Sequence, residues 1–343
     1  MSMRKIKVLK LKPHTRFHFG KSSLDRDAYL SDTDTHPHSD VLFSALVNNL
    51  ASVTDDQSVE EFIDAFKENK IKISSAFYCL KIDDKNEFIY FLPSPADRTS
   101  HIDIDKYDQI KQVKAVQFID SDLLGAPVEE WKIVGGFALS NNTIDRLSLK
   151  EWNQFKLFDK DFNTQVRVRA QSEDNTDKDP YAVSFIQIPN LEHLKLSVHF
   201  YFMYELNEDI YKKDFELAVN LLKYNGIGGE RSSGYGSIDE VHEKDVKPDF
   251  KSIHADADTF MSISKFLPQN EEELLSLSAY SHSIRGGRKT ATQKKLKYVR
   301  MIDEGAILNN VVDGRIEDLS NDSDVPYFRN GKAFLIPYKI RSR

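Results

Sequence analysis

Apolar and polar residues alternate, imperfectly, over residues 5–12 (KIKVLKLK), a pattern that predicts a strand. From His38 to Ala51 (HSDVLFSALVNNLA) the spacing becomes helical. Leu42, Ala45, Leu46 and Leu50 fall on one face, and Ser39 or Asp40 stands where an N-cap belongs. A second helix is predicted over 58–67. Residues 73–82 and 87–92 predict two strands joined by a turn at Asp83-Asp84-Lys85-Asn86. From Pro93 to about Thr164 the pattern is broken by Pro93, Pro95 and the Gly135-Gly136 pair. Residues 165–170 (QVRVRA) and 181–188 (YAVSFIQI) flank the polar run SEDNTDKDP, which predicts a long hairpin with a mobile tip. The aromatic, β-branched stretch 194–206 predicts another strand. A helix over 213–224 follows, with Phe215, Leu217, Ala218, Leu221 and Leu222 on its apolar side. Then come a glycine-rich loop and a strand at about 237–241.

Strand, helix, strands, helix and strand in that order predict an α+β fold. Residues 1–245 read as a ferredoxin-like (RRM-like) βαββαβ domain with an insertion at about 93–165. Pro248 marks the boundary. Residues 246–343 alternate short β stretches (DTFMSIS, KLKYVRMI, KAFLIPYKI) with a short helix near 271–277, and read as a second, degenerate ferredoxin-like domain.

Composition adds exclusions. The chain has 343 residues, 40% of them hydrophobic and 29% charged, which fits a soluble globular protein of about two domains. Its one cysteine, Cys79, excludes an intrachain disulfide and a Cys-rich zinc site. No run of ~18 apolar residues predicts a membrane span, and the basic start has no apolar stretch of signal-peptide length. A cytoplasmic protein without a membrane partner is expected.

Charge is unevenly placed. Asp+Glu total 54 against 47 Lys+Arg, yet residues 1–21 and 284–300 each hold seven basic residues and no acid. Each run reads alone as a solvated face. Together, in a net acidic chain, they point to a surface for a polyanion.

The most specific local signal is NGIGGERSSGYGSI, residues 225–238, which holds five of the chain's fourteen glycines. Glycine permits positive φ and close approach of another backbone, and exposed amides in such a loop can cradle phosphate oxygens. Arg231 adds charge, Ser232 and Ser233 add donors, and Tyr235 offers a stacking face. The loop is neither a Walker A loop nor a dinucleotide fingerprint. Tyr235 stands where the first needs Lys, Arg231 where the second needs Gly, and the loop follows a helix and precedes a strand. The plain alternative is a helix C-cap and tight turn with Gly226 as the left-handed residue, which explains one glycine of the five.

The run Gly-Ile-Gly-Gly-Glu-Arg-Ser-Ser-Gly-Tyr-Gly after an amphipathic helix resembles the glycine-rich loop of the RAMP superfamily of CRISPR proteins. Phe17-His18-Phe19-Gly20 and the segment HSDVLFSAL from His38 look like the fourth-subunit family of the type III-A (Csm) effector complex, and the stretch around Arg167–Phe185 is also similar. The resemblance spans residues 1–50 and 165–240 and weakens after 250. It implies two RRM-like domains at the foot of a ribonucleoprotein filament, holding the 5′ handle of the guide RNA (crRNA). It further implies contacts with a large polymerase-like subunit and a backbone RAMP subunit, no cofactor and no nuclease activity. A hairpin thumb in this family wedges beside the guide, and residues 167–185 are the candidate. The acidic tip (Glu173, Asp174, Asp177, Asp179) departs from that pattern and reads better as facing a partner protein.

The candidate RNA-binding residues are Arg16, His18, Gly20, Gly228, Gly229, Arg231, Ser232, Ser233, Gly234 and Tyr235. Arg285, Gly286, Gly287, Arg288 and Lys289 form a second set, and Arg167 and Arg169 a third. One alternative is a metal-free endoribonuclease acting on repeat RNA. His14 and His18 flank Arg16 and, in an extended segment, share its side, so one of them could act as general acid or base. No metal is expected, because His14 with His18, or His36 with His38, lacks cysteines and further ligands in the sequence. Asp25, Asp27, Asp32 and Asp34 read as solvated loop acids.

Overall fold

The computed structural model describes residues 4–21, 32–100, 102–103, 105–148, 163–167, 181–245, 257–287, 296–320 and 326–339. The predicted acidic hairpin tip and the boundary at Pro248 lie outside these residues.

The fold is α+β. Strand β1 (Lys5–Lys10) is next to the edge of the main sheet, pairing antiparallel with β11 (Leu196–Leu206) on one side and with the edge strand β12 (Glu240–Asp245) on the other. Lys7, one of the polar positions in the β1 alternation, is buried because its ammonium sits 2.6 Å from Glu216 and 2.9 Å from Glu243. Beyond β11 lie β4 (Phe77–Ile82) and β5 (Glu87–Pro93), while the short β3 (Ile71–Ile73) also pairs with β11. The predicted turn at 83–86 joins β4 to β5. Part of the predicted insertion continues the sheet through β6 (Phe118–Asp120), β8 (Phe137–Leu139) and β7 (Lys132–Val134), and carries helices α3 (Tyr107–Lys114) and α4 (Asn141–Arg146).

Helix α1 (Ser39–Ala51) buries Leu42, Phe43, Leu46 and Leu50, as its spacing predicts. Its N-cap is His38, without a side-chain cap, because the expected caps are used elsewhere. The Ser39 hydroxyl donates to the Lys265 carbonyl, and Asp40 accepts from two arginines. Helix α2 (Asp56–Lys67) starts earlier than predicted because Asp55 accepts from the Ser58 amide. The helix predicted over 213–224 is two pieces, α5 (Lys212–Asn220) and α6 (Leu222–Asn225). The Asn49 amide reaches from α1 to the Ala218 carbonyl, the acceptor that Leu222 would use in one continuous helix.

A second sheet of three strands joins β2 (Arg16–Phe17), β10 (Tyr181–Gln187) and β9 (Asn163–Arg167). The C-terminal part contains a sheet ordered β14 (Leu277–Ala279), β17 (Ile307–Leu308), β13 (Thr259–Ser262) and β20 (Leu335–Tyr338). Two hairpins accompany it, β15 (His282–Arg285) with β16 (Val299–Ile302), and β18 (Gly314–Asp318) with β19 (Phe328–Lys332). Its described helix is the short α7 (Glu271–Leu275). Met261, Ile263, Phe334, Ile336 and Tyr338 belong to the same apolar cluster as Ile6, Val8 and Leu46, so the hydrophobic core runs across the predicted domain boundary.

Candidate nucleic-acid interface

Strand β2 (Arg16–Phe17), with the turn at His14 before it and the bridge at His18 after it, positions the site. On one side it pairs with β10: the His14 amide donates to the Ile188 carbonyl, and Arg16 lies opposite Gln187. On the other side the glycine loop closes on it. The Gly236 amide donates to the Arg16 carbonyl at 2.7 Å, and the Gly229 amide donates to the His18 carbonyl at 2.8 Å. The basic N-terminal segment and the glycine loop are thus one hydrogen-bonded unit.

That closure explains three glycines. A Cβ on Gly236 would meet the Ile227 carbonyl oxygen at 2.3 Å, one on Gly226 the Gly236 oxygen at 2.5 Å, and one on Gly228 the His18 oxygen at 2.7 Å. Close packing inside the protein, rather than approach of a phosphate, demands glycine at these positions. The amides of Gly226, Ile227, Gly229, Ser233, Gly234, Tyr235 and Gly236 donate to protein carbonyls. The expected cradle of open amides is therefore corrected: most of this loop's amides are already used. Only the tip projects. Arg231–Ser233 form a 3₁₀ turn between Glu230 (φ 56°) and Gly234 (φ 83°), and residues 231–234 are exposed.

Between the tip and the N-terminal segment lies a cleft of about 450 Å³, lined by His14, Thr15, Arg16, Gln187, Ser233, Gly234, Tyr235 and Ser237. The Arg16 Nε donates to Gln187 Oε1 at 3.2 Å, and its guanidinium stands 4.8 Å above the Phe185 ring. This holds a half-buried cation at the rim. His14 is exposed, with φ 67° and Nδ1 3.3 Å from Gln187 Nε2.

The sequence-predicted residues divide accordingly. Arg16, Ser233, Gly234 and Tyr235 meet at the cleft, and Arg231 and Ser232 stand beside it. Tyr235 is only 4% exposed and packs on Val183 and Phe185, so the open stacking platform expected of it is corrected to an edge in the cleft wall. His18 is also corrected, both as a phosphate donor and as a general acid. It is buried, its Nδ1 lies 2.8 Å from the Ser184 carbonyl, and it packs against Gly229. Phe17 and Phe19 stack in the core. Gly20 bridges to Thr33 and is exposed. Arg167 ends β9, and Arg169, Arg288 and Lys289 lie outside the described residues.

Arg285 is the largest correction. It is 4% exposed and forms ion pairs with Asp40 and Asp34, both at 2.9 Å. Arg329 joins Asp40 at 2.7 Å. Burial opposes ionisation of Asp40, but Arg285 and Arg329 outweigh it and hold the carboxyl well below the usual range. Asp34 is therefore not a solvated loop acid. Gly286 is buried too: a Cβ there would strike the Tyr298 ring at 2.3 Å. This part of the second basic run is internal structure.

Gln187, Thr15 and Ser237 escaped the sequence reading. Only the register of Arg16 opposite Gln187 reveals the first, no local motif marks Thr15, and Ser237 lies in the glycine-rich run, where only its neighbours were chosen.

Comparisons with known proteins bear on this geometry. Residues 255–338 match the family model described as the CRISPR Csm4 C-terminal domain. The chain is 25% identical to the "CRISPR system Cms protein Csm4" of Methanocaldococcus jannaschii, over 97% of each chain. Its fold is similar to that of a chain in the crystal structure of a Csm3–Csm4 subcomplex of the type III-A CRISPR-Cas interference complex, with a TM-score of 0.68, 21% identity, and 98% and 99% of the two chains covered. A chain from a Csm1–Csm4 cassette in complex with cA4 gives a TM-score of 0.56 at 18% identity, covering 99% and 100%. Among the described residues no helix is long and apolar enough to cross a membrane.

Proposed function

Because this chain belongs to the Csm4 family of type III-A CRISPR proteins, we propose that it is a non-catalytic RNA-binding subunit that grips the 5′ handle of the guide RNA in the cleft between Arg16 and Ser233–Ser237. The observation that carries the reading is the joining of Arg16 and the glycine-loop tip in one concave, polar surface. Arg16 neutralises a phosphate from a fixed position above Phe185. Arg231 supplies a second cation on the exposed tip, and Ser233, Ser237 and Gln187 offer donors and acceptors to 2′-hydroxyls and base edges of an unpaired strand. The strand order β12–β1–β11–β4, with α1 and α5 as crossovers, supports reading the N-terminal part as a ferredoxin-like unit. The C-terminal part is a second, degenerate unit sharing its core.

The subunit also bridges a backbone subunit to the large subunit. The solved relatives are complexes of Csm4 with Csm3 and of Csm4 with Csm1, which supports that pair of partners. A repeat-cleaving role is the second reading, and His14 beside Arg16 in the cleft is the observation that favours it. Incubating the purified chain with repeat RNA without metal separates the two, and intact RNA is the expected outcome.

The direct test is an assembled complex whose guide RNA carries photo-reactive nucleotides in the handle. Crosslinks to residues 14–16, 187 and 231–237 are expected. Handle crosslinks confined to other surfaces would remove the proposal.

A further inference from the structure

His36 and His38, on the segment leading into α1, are both buried, with ring centroids 4.4 Å apart. A carboxylate from the distant C-terminal part, Glu304, completes the cluster. Its Oε1 lies 2.7 Å from His38 Nδ1 and 3.9 Å from His36 Nε2. One donor atom from each of the three residues lies within 4.8 Å of the other two. His36 is 7% exposed, and its Nε2, which faces this carboxylate, is buried without a hydrogen-bond partner. An unpaired buried polar atom is costly, so an unfilled ligand position is a specific explanation for it.

The surroundings have the form of a metal site's outer shell. Metal-bound histidines give their second ring nitrogen to an oxygen, which fixes tautomer and orientation. Here His36 Nδ1 is 3.2 Å from the Thr35 hydroxyl, and His38 Nε2 is 3.1 Å from Asp34 Oδ2. Asp34 is in turn held by Arg285 at 2.9 Å. The Ser75 hydroxyl donates to Glu304 Oε1, and Lys265 Nζ stands 3.5 Å from Oε2, so both oxygens of the carboxylate are oriented.

We propose that His36 Nε2, His38 Nδ1 and Glu304 Oε1 bind one divalent transition-metal ion of the Zn²⁺ class, tying the start of α1 to the loop between β16 and β17. Tetrahedral zinc with bonds of 2.0–2.1 Å places its donor atoms roughly 3.4 Å apart. The two Glu304 edges, 2.7 and 3.9 Å, straddle that spacing, and all three donor atoms lie within 4.8 Å of one another, so side-chain shifts of roughly an ångström close the site. Two imidazoles with one carboxylate suit Zn²⁺ and exclude the all-oxygen preference of Mg²⁺ and Ca²⁺. On binding, the proton between His38 Nδ1 and Glu304 leaves to solvent, and water or the Ser75 hydroxyl takes the fourth position. None of the three ligands lines the RNA cleft. The ion is structural, holding together two segments that are far apart in sequence.

The test uses the full chain stripped with a chelator and titrated with Zn²⁺ or Co²⁺ alone against a chromophoric competitor. One equivalent per chain and a higher Tm with metal are expected, together with a cobalt spectrum that has no thiolate charge-transfer band. His36→Gln and Glu304→Gln lose the stoichiometric site, and His193→Ala, on an exposed residue, keeps it. Asp34→Asn, which removes an outer-shell partner, weakens binding about 10–100-fold. Wild-type chain that binds no stoichiometric Zn²⁺ overturns the proposal. So does a thiolate band, which would place the ion on Cys79, or undiminished binding in folded His36→Gln and Glu304→Gln proteins. Should those variants fail to fold, the wild-type stoichiometry and cobalt spectrum decide the matter.

Discussion

Arg285 Nε lies 2.9 Å from Asp40 Oδ2 and its Nη2 lies 3.2 Å from Oδ1, a forked pair between residues 245 positions apart, both buried. The pair joins the start of α1 to the end of β15, and Arg329 adds a third member. Breaking a buried pair by removing one partner strands the other charge and costs about 3–5 kcal/mol. Asp40→Ala is expected to lower the urea midpoint by a corresponding amount. Arg285→Lys is expected to rescue little of an Arg285→Ala loss, since an ammonium cannot reproduce the fork. A stability change below about 1 kcal/mol for Asp40→Ala would contradict this role.

The glycine loop allows a graded comparison. Gly236 has φ +79° and no room for a Cβ, whereas Gly234 has φ +83° and nothing within 4 Å of one. Gly234→Ala therefore carries only the left-handed backbone cost, about 1–2 kcal/mol. Gly236→Ala adds displacement of the Ile227 backbone and is expected to be clearly more destabilising in chemical denaturation. Equal losses for the two variants would show that the close approach does not govern the loop.

Cations at the cleft predict a salt dependence. For single-stranded nucleic acid, each neutralised phosphate contributes roughly −0.7 to the slope of log K against log salt. Arg16→Ala and Arg231→Ala are each expected to flatten the slope by about that amount, measured by handle-RNA binding to the assembled complex. Arg285→Ala in folded complex is expected to leave the slope unchanged, because that side chain is buried. An unchanged slope for Arg16→Ala would remove it from the interface.

His199 predicts a pH effect on stability. Burial pushes its imidazole down to about 4, and its Nδ1 accepts the Leu11 amide at 3.1 Å, so the folded state requires the neutral ring. A depressed folded pKa gives stability that is full above the ordinary value near 6.5 and is lost as pH falls toward 4. At ~1.4 kcal/mol per unit, the loss is on the order of 3 kcal/mol. His199→Gln is expected to flatten the urea-midpoint profile between those limits. An identical profile in the variant would assign the acid sensitivity to other groups.

Local pattern carried much of the architecture. The helical spacing of Leu42, Leu46 and Leu50 and the aromatic run of β11 correspond to the observed elements, because apolar periodicity and burial are the same constraint seen twice. Several errors share a cause. Ser39 and Asp40 were suited to cap α1, and Arg285 to meet a polyanion, but partners hundreds of residues away took those groups first.

The sequence alone determined an α+β chain with a helix-to-glycine-loop motif, basic residues near its start and the resemblance that those residues carry. Tertiary structure decided which of them act together. It brought Arg16 against residues 233–237, buried His18, Tyr235 and Arg285, and set Glu304 beside His36 and His38. Those outcomes depend on pairing register and burial between distant segments. Local propensity does not encode them, because a charged or aromatic side chain has the same intrinsic preferences whether solvent or a distant carboxylate faces it.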